Sequence, residues 1–259
     1  MILDIQSRGP AAWLWMNRPE ARNALSDELL AALETALDVL EKDPSIRALV
    51  LAGRGPAFCA GGDLARMEKA AKMTKARSRR EASRFAKLLL RIHGYPKPVV
   101  ARVQGPAFAG GMGLVAACDL VIASEEAEFA LPEVRLGLVP AMISPYLVRA
   151  MGAAQARRYM LTGERFAAPE AKRLGFVHEC VPAAALDAAV DKTCARLAQA
   201  APGALARTKK LLLAVEAAPL TPAVVAVTVA ALAEARAGAE AREGIRSFLE
   251  RRKPRWSQQ

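Results

Sequence analysis

Two glycine-rich loops contain the residues best suited to chemistry on a carbonyl group. The loop at 58–63 reads FCAGGD and the loop at 105–113 reads GPAFAGGMG, and each lies between an apolar β-type run and a helical stretch. The N–H groups at a helix start carry partial positive charge, and glycine lets a substrate oxygen approach them without a Cβ in the way. Gly62 and Gly110 are the candidate donors. If they converge on one oxygen they form an oxyanion hole, which stabilises an enolate by about 3–4 kcal/mol per donor.

A glutamate after the second loop has a setting suited to proton transfer. Glu133 follows Pro132, which fixes the backbone before it, and its apolar neighbours are Phe129, Leu131, Val134 and Leu136. Apolar surroundings raise the pKa of a carboxyl group toward the working pH of a proton-transfer catalyst. Glu133 is therefore the predicted acid/base, placed in a loop, and the alternative is an ordinary solvated carboxylate.

Glycines in such loops can also have a purely structural role or bind a nucleotide. They could serve only tight turns and close packing, although the presence of two similar loops favours a shared function. A dinucleotide-binding loop is disfavoured because Gly110, Gly111 and Gly113 do not have the GxGxxG spacing. The oxyanion hole is therefore the preferred interpretation.

Several motifs resemble, in order and spacing, those of the enoyl-CoA hydratase/isomerase superfamily, also called the crotonase family. They are NRPEARNALS at 17–26, FCAGGDL at 58–64, GPAFAGGMGLVAACD at 105–119, and the carboxy-terminal stretches at 161–164, 168–177 and 248–254. The resemblance covers nearly the whole chain. It implies an α/β fold of the crotonase type, a spiral of repeated ββα units, and an acyl-CoA thioester substrate. It implies no cofactor, since coenzyme A is part of the substrate.

The resemblance also implies a role for each site residue. Gly62 and Gly110 would donate their N–H groups to the thioester oxygen, and Glu133 would be the catalytic acid/base. Arg22 is the candidate for contact with a coenzyme A phosphate. With the two glycines, the implied substrate-binding residues are Arg22, Ala24 and Ala60.

One departure from the family pattern bears on the reaction. Family hydratases usually carry a second Glu at the helix position of Gly113, where it helps to hold and activate water. This chain would therefore hydrate through Glu133 with another water-holding group, or isomerise by moving one proton within the substrate. A non-catalytic acyl-CoA or RNA binder on the same fold is a third, less favoured hypothesis.

Three stretches indicate a subtype. GGMGLVAACD, EVRLGLVPAMISPYLVRAMG and ARRYMLTGE are similar to the bacterial branch with 3-methylglutaconyl-CoA hydratases of leucine breakdown and branched glutaconyl-CoA hydratases of acyclic terpene breakdown. The predicted reaction is addition of water across the 2,3 double bond of such an enoyl-CoA, with a Δ3,Δ2-enoyl-CoA isomerase as the alternative. The distal carboxylate of a glutaconyl group suits a cation. Arg135 is the nearest in sequence, although a surface ion pair is its favoured role.

The elements that position these residues alternate along the chain, which is typical of an α/β fold. The β-type runs lie at 13–16, 48–52, 99–103, 120–123 and 177–181. Beyond them the chain becomes Ala-rich and helical, at 203–213, 223–239 and 240–250. We expect a core domain at 1–200 for acyl-CoA binding and catalysis, and a helical oligomerisation region at 201–259. The resemblance implies a homotrimer, or a hexamer that is a dimer of trimers.

Composition limits location and chemistry. The 259 residues are 53% hydrophobic, enough to bury one substantial core. No run reaches the ~18 apolar residues of a membrane helix, and the amino terminus has no signal-peptide pattern, so we expect a cytoplasmic protein without membrane contact. Four cysteines without CxxC spacing and two histidines predict no metal site.

The formal net charge of +11 requires a polyanionic partner to be considered. Nucleic acid is disfavoured, because the chain has no nucleic-acid motif and only 5% aromatic residues. The phosphates of coenzyme A fit better, although helical spacing also suits a solvated face. The clustered basic residues are Lys69, Lys72, Lys75, Arg77, Arg79 and Arg80.

Overall fold

The main β-sheet follows the apolar runs of the sequence. In the computed structural model, which describes residues 1–63, 68 and 73–257, its strands lie in the order β1-β2-β3-β4-β6-β9. β1 is antiparallel to β2, and each following pair is parallel. Numbered along the chain, these strands are β1 Leu3–Arg8, β2 Ala11–Met16, β3 Ala48–Gly53, β4 Val99–Val103, β6 Leu120–Ser124 and β9 Glu179–Val181. The run predicted at 177–181 is a strand only from Glu179 onward.

A second, smaller sheet consists of strands two or three residues long. It contains β5 Ala107–Phe108, β7 Glu128–Ala130 and β8 Arg165–Ala167, in the order β5-β7-β8. β5 is parallel to β7, and β7 is antiparallel to β8. Strands this short contain no alternating pattern, and the sequence did not predict them.

Helices cover both faces of the main sheet. Between the strands lie α1 Asp27–Lys42, α2 Lys75–His93, α3 Gly110–Ala117, α4 Ser144–Thr162 and α5 Ala168–Arg173, and α6 Leu186–Ala198 follows β9. One face packs against α1, α2 and α3, and the other packs against α6. Because both faces are covered, β2 and β3 are buried along their whole length and have the continuous apolar sequences AAWLWM and ALVLAG. The predicted α/β order is confirmed.

The chain after residue 200 is helical, as predicted. It forms α7 Pro202–Val215, α8 Pro222–Ala237 and α9 Ala239–Leu249. Neither α7 nor α8 buries a residue. Within the described ranges, no helix by itself is long and apolar enough to cross a membrane. Counted together, α8 and α9 satisfy that criterion by length and composition, although they are bent by 66° relative to each other.

A partly buried ion pair connects the helical carboxy-terminal part to the core. Lys209 of α7 donates to Asp119 Oδ2 at 2.6 Å and to the Lys97 carbonyl at 3.2 Å. Asp119 also accepts the Val99 N–H at 2.7 Å, so this residue holds both the start of β4 and a helix of the carboxy-terminal part. Burial raises the pKa of Asp119, and the Lys209 charge opposes that shift.

Lys209→Met should destabilise the fold in a pH-dependent way. The Lys209 and Asp119 side chains are 11% and 26% exposed, so we expect a loss of about 1–3 kcal/mol, between surface and fully buried pairs. Without Lys209, the pKa of Asp119 in the folded protein rises further above its unfolded value. The loss of stability should therefore be small at a pH below the pKa of Asp119 in the unfolded protein. It should grow as the pH rises through the pKa of Asp119 in the folded protein.

Denaturant unfolding at several values from about pH 4 to about pH 8 measures this effect. Lys210→Met is the matched control, because Lys210 is the next residue of α7 and is exposed. A loss that is the same at every pH would contradict the assigned role of Asp119.

Candidate active site

Backbone hydrogen bonds join the two glycine loops. The N–H groups of Phe58 and Cys59 donate to the Pro106 carbonyl at 3.0 and 3.2 Å, and the Phe108 N–H donates to the Cys59 carbonyl at 2.9 Å. Cys59 and Ala107 form a parallel bridge. Gly62 lies three residues beyond Cys59, and Gly110 lies three residues beyond Ala107. Because each predicted donor lies three residues beyond a bridged residue, and the bridge is parallel, both donors lie at the same end of the paired segments.

Glu133 is placed by β7, the strand that pairs with β5 in the second sheet. β5 is parallel to β7, with about 4.8 Å between neighbouring strands. Gly110 follows the end of β5 by two residues, and Glu133 follows the end of β7 by three. The Ala109 N–H donates to the Ala130 carbonyl at 2.9 Å and extends this pairing to the residue before Gly110. The structure therefore places Gly62, Gly110 and Glu133 at corresponding ends of three parallel segments.

Close packing accounts for the neighbouring glycines. A Cβ on Gly61 would lie 2.9 Å from Ala109 Cβ, and a Cβ on Gly111 would collide with the Cys59 carbonyl. Gly61 also has a φ of +95°, which favours glycine. Gly110 itself approaches Leu25 Cδ1 closely, at 2.8 Å from its Cβ position. Gly61 and Gly111, which lie beside the predicted donors, therefore have a packing role, because their lack of a side chain lets the two loops make contact.

The Gly110 N–H has no acceptor within its helix, because Gly110 is the first residue of α3. Ala109 before it has φ 48° and ψ −121°, a conformation that L residues rarely adopt. Such strain, of order 1–3 kcal/mol, persists where the surrounding structure requires it and is concentrated at functional sites. The strain and the open N–H are both properties expected of an anion-binding turn.

Glu133 has the environment of a proton-transfer group. Its Oε2 atom is buried and has no hydrogen-bond partner among the described residues. Burial raises the pKa of its carboxyl group. The residue lies in a 3₁₀ helix, Pro132–Leu136, instead of the predicted loop. Phe129 and Leu131 are buried as expected, but Leu136 is 61% exposed and the expected apolar contact from it is wrong, because the chain turns outward there.

Ile143 fills the space beside Gly113. Gly113 lies in the first turn of α3, and a Cβ at this position would collide with the Ile143 side chain. Ile143 is 2% exposed and directly precedes α4. A larger residue at 113 therefore requires Ile143 to move or to be shortened. This position of α3 supplies no carboxylate, and an aliphatic side chain occupies the adjacent volume.

The predicted substrate-binding residues lie against the first loop. The Ala60 N–H donates to the Arg22 carbonyl at 2.9 Å, and the Leu25 N–H donates to the Gly61 carbonyl at 2.8 Å. Arg22 is exposed and has φ 48°, whereas Ala24 is buried. Arg22, Ala24 and Ala60 are therefore brought together beside Gly62.

The other predicted cationic residues are exposed wherever the structure describes them. Arg135 is exposed and donates to the Thr162 carbonyl at 3.3 Å, which agrees with the surface role favoured for it. Lys69 and Lys72 lie outside the described residues. The rest of the basic cluster is on exposed residues of α2, namely Lys75, Arg77, Arg79 and Arg80. Cys59 is fully buried, and burial raises its thiol pKa to about 12, so it is a packed thiol.

The sequence analysis missed the residues that hold the first loop. Arg18 Nη1 donates to Asp63 Oδ2 at 2.9 Å and to the Ala24 carbonyl at 3.0 Å. The fully buried Asn23 amide donates to the carbonyls of Arg54 and Ala57 at 2.9 and 2.8 Å. Asp63 thus pairs with Arg18. The NRPEARNALS motif was the available signal, but nothing in it indicates which distant atoms it contacts.

Comparisons with known proteins agree with this geometry. A family model described as enoyl-CoA hydratase/isomerase matches residues 10–259. A putative enoyl-CoA hydratase from Thermus thermophilus is 43% identical over 251 residues, which are 96% of this chain and 98% of that protein. The crystal structure of an enoyl-CoA hydratase from Shewanella pealeana has a TM-score of 0.95 at 36% identity, covering 99% of this chain and 96% of that one.

A second solved structure, AtuE from Pseudomonas aeruginosa, has a TM-score of 0.94 at 40% identity and covers 99% of this chain and 100% of that one. These similarities extend over the main sheet, both glycine loops and the carboxy-terminal helices. The fold is therefore the crotonase fold, as the sequence motifs implied. The chain belongs to the enoyl-CoA hydratase/isomerase family and is an enzyme of the enoyl-CoA hydratase class.

Proposed function

We propose that the protein adds water across the 2,3 double bond of a branched glutaconyl-CoA, such as 3-methylglutaconyl-CoA, in leucine or acyclic terpene breakdown. The observation that carries the proposal is the common register that brings Gly62, Gly110 and Glu133 to one end of three parallel segments. The subtype stretches of the sequence support the branched glutaconyl group. Coenzyme A is part of the substrate, and no other cofactor takes part.

In this mechanism the Gly62 and Gly110 N–H groups donate to the thioester oxygen, where negative charge develops. Glu133 removes a proton from water as the water oxygen bonds to C3. The electrons of the double bond form an enolate, and the same carboxyl group returns the proton to C2. Glu133 Oε2 has no partner among the residues that the structure describes, and burial raises the pKa of the carboxyl group. Both observations support this role, because a carboxylate oxygen buried without a partner accepts a proton readily.

Substrate binding requires contact with the coenzyme A part as well. The exposed position of Arg22 supports a contact with its phosphates, and the closeness of Ala24 and Ala60 to Gly62 supports a place along the thioester arm. A nucleic-acid partner is not part of the proposal. A cytoplasmic location stays a prediction from the sequence.

A Δ3,Δ2-enoyl-CoA isomerase is the second candidate, favoured by one observation. Ile143 occupies the volume beside Gly113, so α3 supplies no second carboxylate there to hold water. In isomerisation Glu133 would take a proton from C2 of a 3-enoyl-CoA and return it to C4, which requires no water. A pure binder is disfavoured, because it would have no use for a buried carboxylate with a raised pKa.

We also propose that the region at 201–259 assembles the protein into a trimer or a dimer of trimers. Val225, Val229 and Leu232 of α8 are 56%, 62% and 52% exposed. A helix that buries no residue in its own chain gains stability by packing against another surface.

Glu133→Gln should abolish the reaction without unfolding the protein. We expect a rate loss of about 10²–10⁴-fold, because glutamine cannot exchange the proton. The ultraviolet absorbance of the conjugated thioester measures the rate with 3-methylglutaconyl-CoA, crotonyl-CoA and a 3-enoyl-CoA. Glu128→Gln, which changes a β7 carboxylate paired with Arg165, is the control and should retain the activity.

The direction of the absorbance change separates the two candidates. A decrease with 3-methylglutaconyl-CoA that Glu133→Gln abolishes supports hydration. An increase with the 3-enoyl-CoA, with no decrease for the other two substrates, would refute the hydratase and leave the isomerase. No change with any substrate would contradict both.

Ile143 and Gly113 should behave as a coupled pair. Gly113→Glu alone should lower the melting temperature and the soluble yield, because its Cβ collides with Ile143. Ile143→Ala removes that obstacle, so the double variant should regain stability and should hydrate crotonyl-CoA faster than Ile143→Ala alone. A double-mutant cycle of both quantities checks the coupling. Additive effects, or a fully stable Gly113→Glu single variant, would contradict it.

Val229→Glu should dissociate the assembly, because it places a charge in an apolar contact. Light scattering coupled to size exclusion should give three or six copies for the wild type and a smaller species for the variant. Val39→Glu is the matched control, since Val39 of α1 is also 62% exposed. A monomeric wild type, or equal dissociation by both variants, would overturn the proposed assembly.

A further inference from the structure

Two peptide groups in series connect Arg18 to the Gly62 N–H. Arg18 Nη1 donates to the Ala24 carbonyl at 3.0 Å, and the Leu25 N–H donates to the Gly61 carbonyl at 2.8 Å. The Ala24 carbonyl and the Leu25 N–H belong to one peptide group. The Gly61 carbonyl and the Gly62 N–H belong to the next. A guanidinium charge is therefore hydrogen-bonded, through two peptide groups, to the N–H proposed to face the thioester oxygen.

The geometry of a trans peptide gives this series a direction. The group is planar, and its C=O and N–H point in opposite directions. The hydrogen bond from the Leu25 N–H, which fixes the Gly61 carbonyl, therefore also fixes the direction of the Gly62 N–H. In the same way, the Arg18 contact with the Ala24 carbonyl fixes the Leu25 N–H.

Electrostatics act along the same path. Hydrogen bonds in a chain polarise one another, and a charged donor at one end strengthens the donors that follow. Ala24 and Leu25 are 7% and 3% exposed, so solvent screens the first steps weakly. The guanidinium of Arg18 supplies the positive charge at the start of this path. The Gly62 N–H at the far end is thereby a stronger donor than an isolated peptide N–H.

The structure also holds Arg18 in place. Its guanidinium pairs with Asp63 at 2.9 Å, and the two side chains are 23% and 15% exposed. Its backbone N–H donates to Asn23 Oδ1 at 2.9 Å, and Asn23 is fully buried. Asp63 directly follows Gly62, so Arg18 contacts the residue after the proposed donor directly and is connected to the residue before it through the Ala24–Leu25 peptide group.

We propose that Arg18 is a positioning residue that orients and polarises the Gly62 N–H toward the thioester oxygen. This inference rests on the proposed oxyanion hole. The Gly110 N–H obtains its polarity differently, from the start of α3. The two donors would therefore have independent sources of positive potential, and a change at Arg18 would weaken only one of them.

The absorption band of a bound conjugated thioester tests the proposed relay, which is the action of Arg18 on the Gly62 N–H through two peptide groups. Cinnamoyl-CoA, bound to Glu133→Gln so that it is not converted, should show a red-shifted band, because donors at its oxygen polarise the carbonyl. Adding Arg18→Gln should remove much of that shift. In the otherwise wild-type enzyme, Arg18→Gln should lower kcat about tenfold or more, with KM changed less than about threefold. Arg18→Lys should be intermediate, since it keeps the charge without the fork of donors.

Arg91 provides the matched control. Arg91 Nη1 also contacts a carboxylate, Asp38 at 2.6 Å, and a carbonyl, that of Glu34 at 3.3 Å, and its side chain is 29% exposed. Its Nη2 atom makes one further contact, with Glu41 at 3.4 Å. Arg91→Gln should lower the melting temperature comparably and leave the band and kcat unchanged. A wild-type band shift in the Arg18 variants, whatever their melting temperature, would overturn the relay. The absence of any red shift with Arg18 intact would instead refute the oxyanion hole itself.

Discussion

The site depends on a short parallel pairing between the loop at 58–63 and β5. Cys59 exchanges backbone hydrogen bonds with Pro106 and Phe108, and this contact sets the register of every group beyond it. Gly111 is required there, since a Cβ would collide with the Cys59 carbonyl. A single side chain at that point would separate the loops and the two donors with them. The catalytic geometry is thus a consequence of backbone pairing, and the chemically active side chain is added by the next strand.

The two N–H donors have the same function in the proposed mechanism but different physical origins. Gly110 begins a helix, so its polarity comes from the aligned peptides of α3. Gly62 is exposed, and its peptide group is held through Leu25 and the contact of Ala24 with Arg18. An arginine that acts through two peptides supplies what a helix supplies elsewhere. This accounts for the closeness of the Arg18–Asp63 ion pair to the site, although its two residues are 45 apart in sequence.

The sequence predicted the parts of this arrangement that are local. Gly62, Gly110 and Glu133 were identified as candidates because each lies in a motif a few residues long. The main sheet was predicted except for β1, because its buried strands are continuous apolar runs, whereas β1 alternates between less and more exposed residues. β5, β7 and β8 were missed, because strands of two or three residues contain no period to detect. The contact of Ile143 with Gly113 and that of Arg18 with Asp63 were missed because they join distant segments, and only the fold brings them together.

The choice between hydration and isomerisation is then a question of space more than of acidity. Both reactions need the same carboxylate and the same stabilised enolate, and Glu133 with its raised pKa serves either. They differ in whether a water molecule is held beside C3. Ile143 occupies the volume next to Gly113, so any water must be held by groups other than a side chain at 113. One aliphatic residue directly before α4 thereby limits the chemistry available to the glutamate proposed as the catalyst.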